Sequence, residues 1–568
     1  MSTLKFACNM GNISRMFIKF LFLLIFYGLI PSSQCGKYLF WPSNLHKSHP
    51  FTLKVLAEEL AERGHDVTWI EHGFFPSDID LSSKIEKIFW KVNINGCMRP
   101  ATSASNSLLK FNQTQSKHKH FIKMWTEDVS WPNEQVDGWT AGIRLCSGLL
   151  CQYNKEFKSV ISRSNFDAMI IDDLYNPCGL LIAGMTKSNL VLWSQTTMRP
   201  ESAWANQSPS PPSYLPAPKT GYTDEMTFFE RCVNVAYYLR EIFVHQRILQ
   251  PHYIDHMFKH YFSDAPSSFD VERNASLNLI NNPPIFDFPR AYMPRVNYVG
   301  CLQCREAQPL TKEFATFVDK ASEDHGFIVI SSGFTAEWSV APEHVKKAFL
   351  DTFRFHSKIK FIWQYNDLPI EVSTNVLAKE WLPLQDLLGH SKCVAHISHG
   401  GLNSVMESIY HGVPIIGIPL LASAYDNLLR VQSRDAGIIV TKDQLREGHL
   451  SKAIQDILSP KYKEAMLEFQ DLVRDVPVSS LNMAAFWLEF IDRHKEIPHA
   501  RSGADKLNIL QYFLVDIIAF LLSSLILLLL IVIFIVKRII RLVLFLLRPI
   551  TSRIFNRSTK PEIKKKTD

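Results

Sequence analysis

The stretch SHGGLNSVMESIYHG, residues 398–412, gathers residue types that hold an anion. It follows the β-rich run CVAHI and opens a helix on His399, Gly400 and Gly401, with Asn403, Ser404 and Glu407 in the first two turns. Glycine weakens a helix by about 1 kcal/mol relative to alanine, so two of them here serve another purpose. The first turn of a helix exposes unpaired N–H groups and the positive end of the dipole, and glycine lets a phosphate approach that backbone closely. Asn403 and Ser404 add side-chain donors at the same end. Glu407, one turn further on the same face, is badly placed for phosphate and well placed to accept from a ribose diol. The stretch therefore reads as a nucleotide site. No GxxxxGK[ST] is present and the turn lacks GxGxxG spacing, which sets aside two known phosphate loops. The bland alternative is a helix that its glycines let pack closely on a strand.

Such a turn needs a strand before it and a partner surface opposite. From Gly36 the chain reads as a strand, KYLFW, then a helix with Leu53, Leu56 and Leu60 on one face, a stop at Gly64, and the strand DVTWI. That is the spacing of a parallel α/β unit. A further buried strand, AMII, ends at Asp172 and Asp173, and the Pro- and Ser-rich stretch 206–222 reads as a loop. The segment NNPPIFDFPRAYMPRVNYVG at 281–300, with four prolines and no sustained period, runs into CLQC. After it the pattern restarts with FIVISS, Gly333, a helix over 342–356, KIKFIWQY, CVAHIS, a helix over 402–411 and PIIGIPL. The expected architecture is α/β: two Rossmann-like lobes, 36–285 and 306–508, joined by a linker at 286–305. Ligands in open parallel sheets sit at the carboxyl ends of strands, where Gly333 and Gly400 both fall.

The ends of the chain speak of membranes. Lys5, Arg15 and Lys19 precede the apolar run FLFLLIFYGLI, and Ser33 and Cys35 suit cleavage before Gly36, so residues 1–35 are expected to be a signal peptide. Ile517 to Val536 is an uncharged apolar stretch of 20 residues, long enough to cross a bilayer as a helix, and the span is placed at 514–536. The tail 537–568 carries ten Lys or Arg against two acids, which the positive-inside rule places in the cytosol. Ends this basic, on a chain of net charge +6, leave the body between them acidic. No nucleic-acid partner is expected. Lys565 and Lys566, third and fourth from the end, resemble a dilysine retrieval signal, and sequons at Asn112, Asn206 and Asn274 agree with a lumenal body. The body's cysteines are irregularly spaced and form no disulfide framework; Cys301 and Cys304 read as a loop disulfide or free thiols rather than a zinc site.

The segment WLPLQDLLGHSKCVAHISHGGLNSVMESIYHGVPIIGIPLL, 381–421, closely resembles the signature of the UDP-glycosyltransferases, particularly their membrane-bound UDP-glucuronosyltransferase branch. The likeness extends to FDFPRAYMPRVNYVG, to AAFWLEFIDRH, to the span with its basic tail, and back to His49. It implies a GT-B-type fold and a UDP-sugar co-substrate, with no cofactor and no metal. It also implies a small lipophilic acceptor, a single-pass type I place in the endoplasmic reticulum membrane, and association with related transferases. Carried onto this chain, it implies that Trp381 stacks on uracil, that His399 and the turn from Gly400 through Gly401 and Asn403 to Ser404 hold the diphosphate, and that Glu407 binds the ribose hydroxyls. Gly333, Leu384, Ser423 and Asp426 fall at further donor-site positions. The base is implied at His49, with His46 and His65 as bland comparisons. A helix N-terminus disfavours imidazolium, so a neutral, proton-accepting His49 is expected. Asp172 would hold its ring, with the adjacent Asp173 as the alternative. The implied reaction is direct displacement at the anomeric carbon with inversion.

The family pattern breaks after GIPLL. An Asp-Gln pair that holds sugar hydroxyls is usual there, whereas this chain aligns Ser423 and Ala424. Leu384 stands where Gln is common, and Phe334, beside Thr335, where a small hydroxyl residue is usual. Two readings from different classes follow: an active transferase, and a UDP-binding but catalytically impaired membrane subunit that modulates a related enzyme. A Rossmann oxidoreductase lacks its glycine fingerprint.

Overall fold

A computed structural model describes residues 35–93, 121–126 and 134–557, apart from the single residues 164, 187, 368, 447 and 496. The globular body runs to Arg501, and Ser502 onward forms a second unit. In the body, β1 (Lys37–Trp41) leads into α1 (Ser48–Glu62), β2 (Asp66–Gly73) and β3 (Ile85–Lys91). The long α2 (Glu134–Arg163) follows, then β4 (Ala168–Asp172), α3 (Pro177–Met185), β5 (Asn189–Ser194), α4 (Phe228–Phe243), β6 (Leu277–Ile280) and β7 (Val296–Tyr298). These seven strands make one parallel sheet in the order β3-β2-β1-β4-β5-β6-β7.

The second sheet is also parallel. It contains β8 (Phe327–Ser331), β9 (Lys360–Gln364), β10 (Val376–Lys379), β11 (Cys393–Ser398), β12 (Ile415–Gly417) and β13 (Gly437–Ile439) in the order β10-β9-β8-β11-β12-β13. Strands covered by helices on both faces read as unbroken apolar runs, and FIVIS of β8 is buried at all five positions. Of its helices, α5 (Leu384–Leu388), α6 (Leu402–Tyr410) and α7 (Ala422–Gln432) bear on the site.

Two boundaries differ from the sequence expectation. Val296–Tyr298, inside the stretch read as linker, pairs with β6 and forms the edge of the first sheet. Three residues between proline-rich turns are too few to show a period, which is why the pattern hides them. Helix α8 (Ser480–His494) belongs to the first lobe's core: Ala484, Leu488 and Ile491 are buried with Leu53, Leu56 and Leu60 of α1. The chain thus crosses back to the first lobe before its final segment, within the 306–508 span.

In the second unit, α9 (Val515–Arg557) includes an apolar stretch, Val515–Leu547, long enough to cross a membrane. Cys146–Cys178 and Cys301–Cys304 are disulfides. Of the sequons, Asn274 is exposed, whereas Asn206 is fully buried and donates to the Ser202 carbonyl. Asn112 and the expected signal peptide up to residue 34 lie outside the described residues.

Candidate active site

Each sheet changes winding direction once, between β1 and β4 in the first and between β8 and β11 in the second. Such switch points leave a crevice beyond the strand ends. A cavity of about 440 Å³ lies between the lobes and is lined from both crevices.

On the first-lobe side, β1 pairs with β4, so the end of β4 stands beside the start of α1 although more than a hundred residues separate them. His49, the second residue of α1, places Nδ1 2.7 Å from Asp172 Oδ2. Both side chains are buried. The Asp172 carboxylate also accepts from the backbone N–H of Ser43 at 3.2 Å and of Leu174 at 3.1 Å. Asn176 ties this corner together by donating to the Trp41 carbonyl and capping α3 through the Gly179 N–H. A carboxylate only accepts, so Nδ1 carries the proton and Nε2 presents its lone pair. His49 lines the cavity.

Asp173 points elsewhere. It accepts from the Ser194 hydroxyl and pairs with Arg199, and burial keeps its pKa above the ordinary carboxylate value despite the guanidinium. The carboxylate on His49 is therefore that of Asp172. His65 accepts from the Gly36 N–H and faces Glu489, a structural position, while His46 lies against His49 at 5.5 Å between rings.

On the second-lobe side, Gly400 has φ of +92°, and a Cβ there would lie 2.6 Å from the Ala424 carbonyl oxygen. A Cβ on Gly401 would lie 2.6 Å from His399 Nε2, so the imidazole rests directly on that glycine. The N-cap of α6 is Gly401, which has no side chain to cap the helix. Its ladder begins with Val405 N–H to Gly401 O, and the N–H groups of 402–404 precede it at the cavity wall. Burial pushes the His399 pKa down to about 4, opposed by a backbone contact at Ser331. Its Nδ1 is buried and has no hydrogen-bond partner among the described residues. Burial likewise pushes Glu407 up to about 8, with Gln303 and Arg305 opposing.

The other expected residues also line this cavity, Gly400 excepted, which shapes the turn from behind. Trp381 is half exposed, with the Phe334 ring 4.7 Å from its own and Phe51 of the first lobe 6.0 Å from Phe334. Gly333, with φ of +53°, donates to Gln364, and Leu384 opens α5. Ser423 is exposed in the first turn of α7. The Asp426 carboxylate accepts from the Lys219 backbone N–H of the first lobe.

Two side chains expected as phosphate donors are engaged elsewhere. Asn403 donates to Thr52 Oγ1 at 2.8 Å and accepts from Gln195 at 2.6 Å, which bridges the lobes. The Ser404 hydroxyl bonds Ser398 and the Gly401 carbonyl. The anion-binding capacity of this turn rests on backbone N–H groups. Sequence reasoning missed Gln195, Thr52, Gln303 and Arg305, and also Arg199, Glu201 and Glu241, which line the first-lobe side. Gln195 had a signal, since it follows the last residue of β5 as Gly333 follows β8. Among the described residues, no group of three or more His, Cys, Asp or Glu side chains is placed to hold a metal ion.

Comparison with known proteins decides the family. The model described as UDP-glucoronosyl and UDP-glucosyl transferase matches residues 36–548. The chain belongs to this family. UDP-glucuronosyltransferase 2A3 of Homo sapiens is 31% identical over 525 residues, covering 88% of this chain and 93% of that protein. UDP-glucuronosyltransferase 2B17 of Homo sapiens is 31% identical, covering 87% and 91%. Among solved structures, a UDP-glucosyltransferase from Polygonum tinctorium capable of glucosylating indoxyl, complexed with 3,4-dichloroaniline, has a TM-score of 0.54 at 16% identity, covering 81% of this chain and 99% of its own. Phytolacca americana UGT2, complexed with UDP-2fluoro-glucose and pterostilbene, has a TM-score of 0.52 at 14% identity, covering 80% and 99%. The fold is thus GT-B, and the chain is a UDP-glycosyltransferase enzyme whose co-substrate is a UDP-sugar.

Proposed function

We propose that the protein transfers glucuronic acid or a hexose from its UDP-sugar to a hydroxyl of a small lipophilic acceptor, with inversion at the anomeric carbon. The observation that carries this reading is the His49–Asp172 pair, which puts the ring proton on Nδ1 and the lone pair on Nε2 of a side chain lining the same cavity as the start of α6. His49 Nε2 takes the acceptor's proton as its oxygen forms the new C–O bond, and the bond from the anomeric carbon to the UDP oxygen breaks. Asp172 stabilises the imidazolium that results. Charge developing on UDP meets the open N–H groups of α6. Trp381 stacks on uracil, and Glu407 accepts from the ribose hydroxyls. His399, neutral at pH 7, serves the diphosphate as a hydrogen-bonding group and not as a cation. Gly333, Leu384, Ser423 and Asp426 border the sugar.

The body is lumenal in the endoplasmic reticulum, with the basic tail in the cytosol. The two disulfides support an oxidising compartment, and the lysines after Val536 support the orientation. A preformed base and orienter support the active reading over an impaired subunit. The test is transfer by the full-length chain in microsomes, with unlabelled UDP-glucuronic acid, UDP-glucose and UDP-N-acetylglucosamine competing against one labelled donor and the product linkage read by NMR. A β-glycoside from an α-linked donor is expected; an α-glycoside, or no transfer from any donor, refutes the proposal.

A further inference from the structure

The turn Cys301-Leu302-Gln303-Cys304 lies where the chain passes from the first lobe to the second, and a disulfide closes it. Its backbone turns tightly, with the Cys304 N–H donating to the Cys301 carbonyl at 3.2 Å. On the first-lobe side, Asn281, directly after β6, accepts from the Leu302 N–H at 3.1 Å and donates to Gln303 Oε1 at 3.5 Å. On the second-lobe side, the Gln385 side chain of α5 donates to the Gln303 carbonyl at 2.9 Å and accepts from the Arg305 N–H at 2.8 Å. Cys301 is buried in one apolar cluster with Leu402, Val405 and Met406 of α6, and Cys304 packs against that cluster. The disulfide therefore rests on the helix that carries Glu407.

Gln303 is buried, and with Oε1 turned to Asn281 its Nε2 has no hydrogen-bond partner among the described residues. That amide is also the strongest influence opposing the upward push of burial on the Glu407 pKa. Arg305, which lines the cavity and pairs with Asp386 at 2.6 Å, is the next. A buried amide donor without a partner is costly, and an ionised Glu407 is the acceptor beside it.

We propose that Gln303 is a positioning residue for the donor's ribose site, holding the Glu407 carboxylate, and that the Cys301–Cys304 disulfide is the redox-sensitive clip that keeps it there. The inference rests on the reading of Glu407 as the ribose acceptor. Cys301 is buried and Cys304 is partly exposed, so a thiolate attacks at Cys304. A dithiol reductant then breaks the S–S bond: the two cysteines become thiols, taking two electrons and two protons, and the reductant closes to its own disulfide. The turn loses its covalent tie, Gln303 leaves Glu407, and the carboxyl keeps its proton where the ribose needs an anion. Donor binding weakens, while His49 and Asp172 in the other lobe keep their geometry.

The test titrates UDP into the full-length protein by calorimetry across pH 7 to 9, with and without dithiothreitol, and locates the reduced cysteines by alkylation and mass spectrometry. Reduction of Cys301–Cys304 should weaken UDP binding roughly 5- to 10-fold and raise the donor KM with kcat nearly unchanged. Dithiothreitol also reaches Cys146–Cys178, so the Cys301→Ser, Cys304→Ser protein is the control; it should bind weakly from the start and not respond to the reductant. Gln303→Ala, with the disulfide intact, reports the positioning role. The pH at which UDP binding tightens should move up, because Glu407 loses a donor that favours its ionised form; a turn that is structural alone would weaken binding without moving that pH. Full alkylation of Cys301 and Cys304 with UDP affinity unchanged overturns the inference. So does an equal response to reductant in the double-serine protein, or an unmoved pH profile in Gln303→Ala. Glu407→Gln separates the two readings. If it leaves UDP binding unchanged, the ribose assignment fails and this inference with it; if it weakens UDP while Gln303→Ala and reduction do not, this inference alone fails.

Discussion

Replacing Glu407 by Gln should stabilise the empty protein while weakening UDP binding, and the size of the first effect follows from burial. The carboxyl is held at about 8 against an ordinary 4.5. The folded state therefore keeps a proton that the unfolded chain releases, so stability falls as pH rises from about 4.5 to about 8. Each pKa unit is worth about 1.4 kcal/mol. At pH 7, about two and a half units above the unfolded value and still below the folded one, the site costs the fold about 3 kcal/mol. Gln keeps the shape and does not titrate. The variant's advantage in thermal melts should be small near pH 5, grow to a few degrees by pH 7, and level off above pH 8. UDP binding should move the other way. Ribose hydroxyls donate best to the ionised carboxylate, so binding by the parent should release protons and tighten between pH 7 and pH 8. Losing that charged acceptor should weaken UDP about 10- to 100-fold in titration calorimetry. A stability difference that does not vary with pH, or UDP binding unchanged by the substitution, would refute the reasoning.

Asp172→Asn removes the acceptor that fixes the proton on His49 Nδ1, and kcat should fall about 10³- to 10⁴-fold with UDP affinity nearly unchanged; steady-state kinetics within a few-fold of the parent would contradict this. Gly400→Ala forces a side chain into positive φ and against the Ala424 carbonyl. Its expected cost is about 2–4 kcal/mol of stability together with loss of UDP binding, read by thermal melts and calorimetry. Asn403→Ala removes both inter-lobe hydrogen bonds to Thr52 and Gln195, worth about 0.5–1.5 kcal/mol each. The radius of gyration by solution scattering should rise while the melting temperature falls modestly; an unchanged radius would show that the lobes are held by other contacts.

What could be read from the sequence depended on how local the signal was. The turn at His399–Gly401 declared itself because strand, glycines and helix follow one another without interruption. The short strands were harder: β7 is three residues between proline-rich turns, and β6 is four, too few for periodicity. α8 carries the AAFWLEFIDRH stretch of the family likeness, but only packing against α1 places it in the first lobe. The choice between Asp172 and Asp173 was open because the two carboxylates are adjacent at the end of the AMII strand and sequence alone does not show which one turns toward α1. The strand order that sets β4 beside β1 settles which one meets His49. Asn403 read as a ligand donor because sequence reveals an amide and not its partners, and those partners lie in the other lobe.

The central claim is that His49 acts as the base in a cavity whose UDP contacts come from the second lobe. Measuring both functions in one variant tests it most directly. In full-length His49→Ala, sugar transfer should drop below detection while the dissociation constant for UDP stays within a few-fold of the parent. Transfer at the parental rate, or loss of transfer together with UDP binding, would contradict the account.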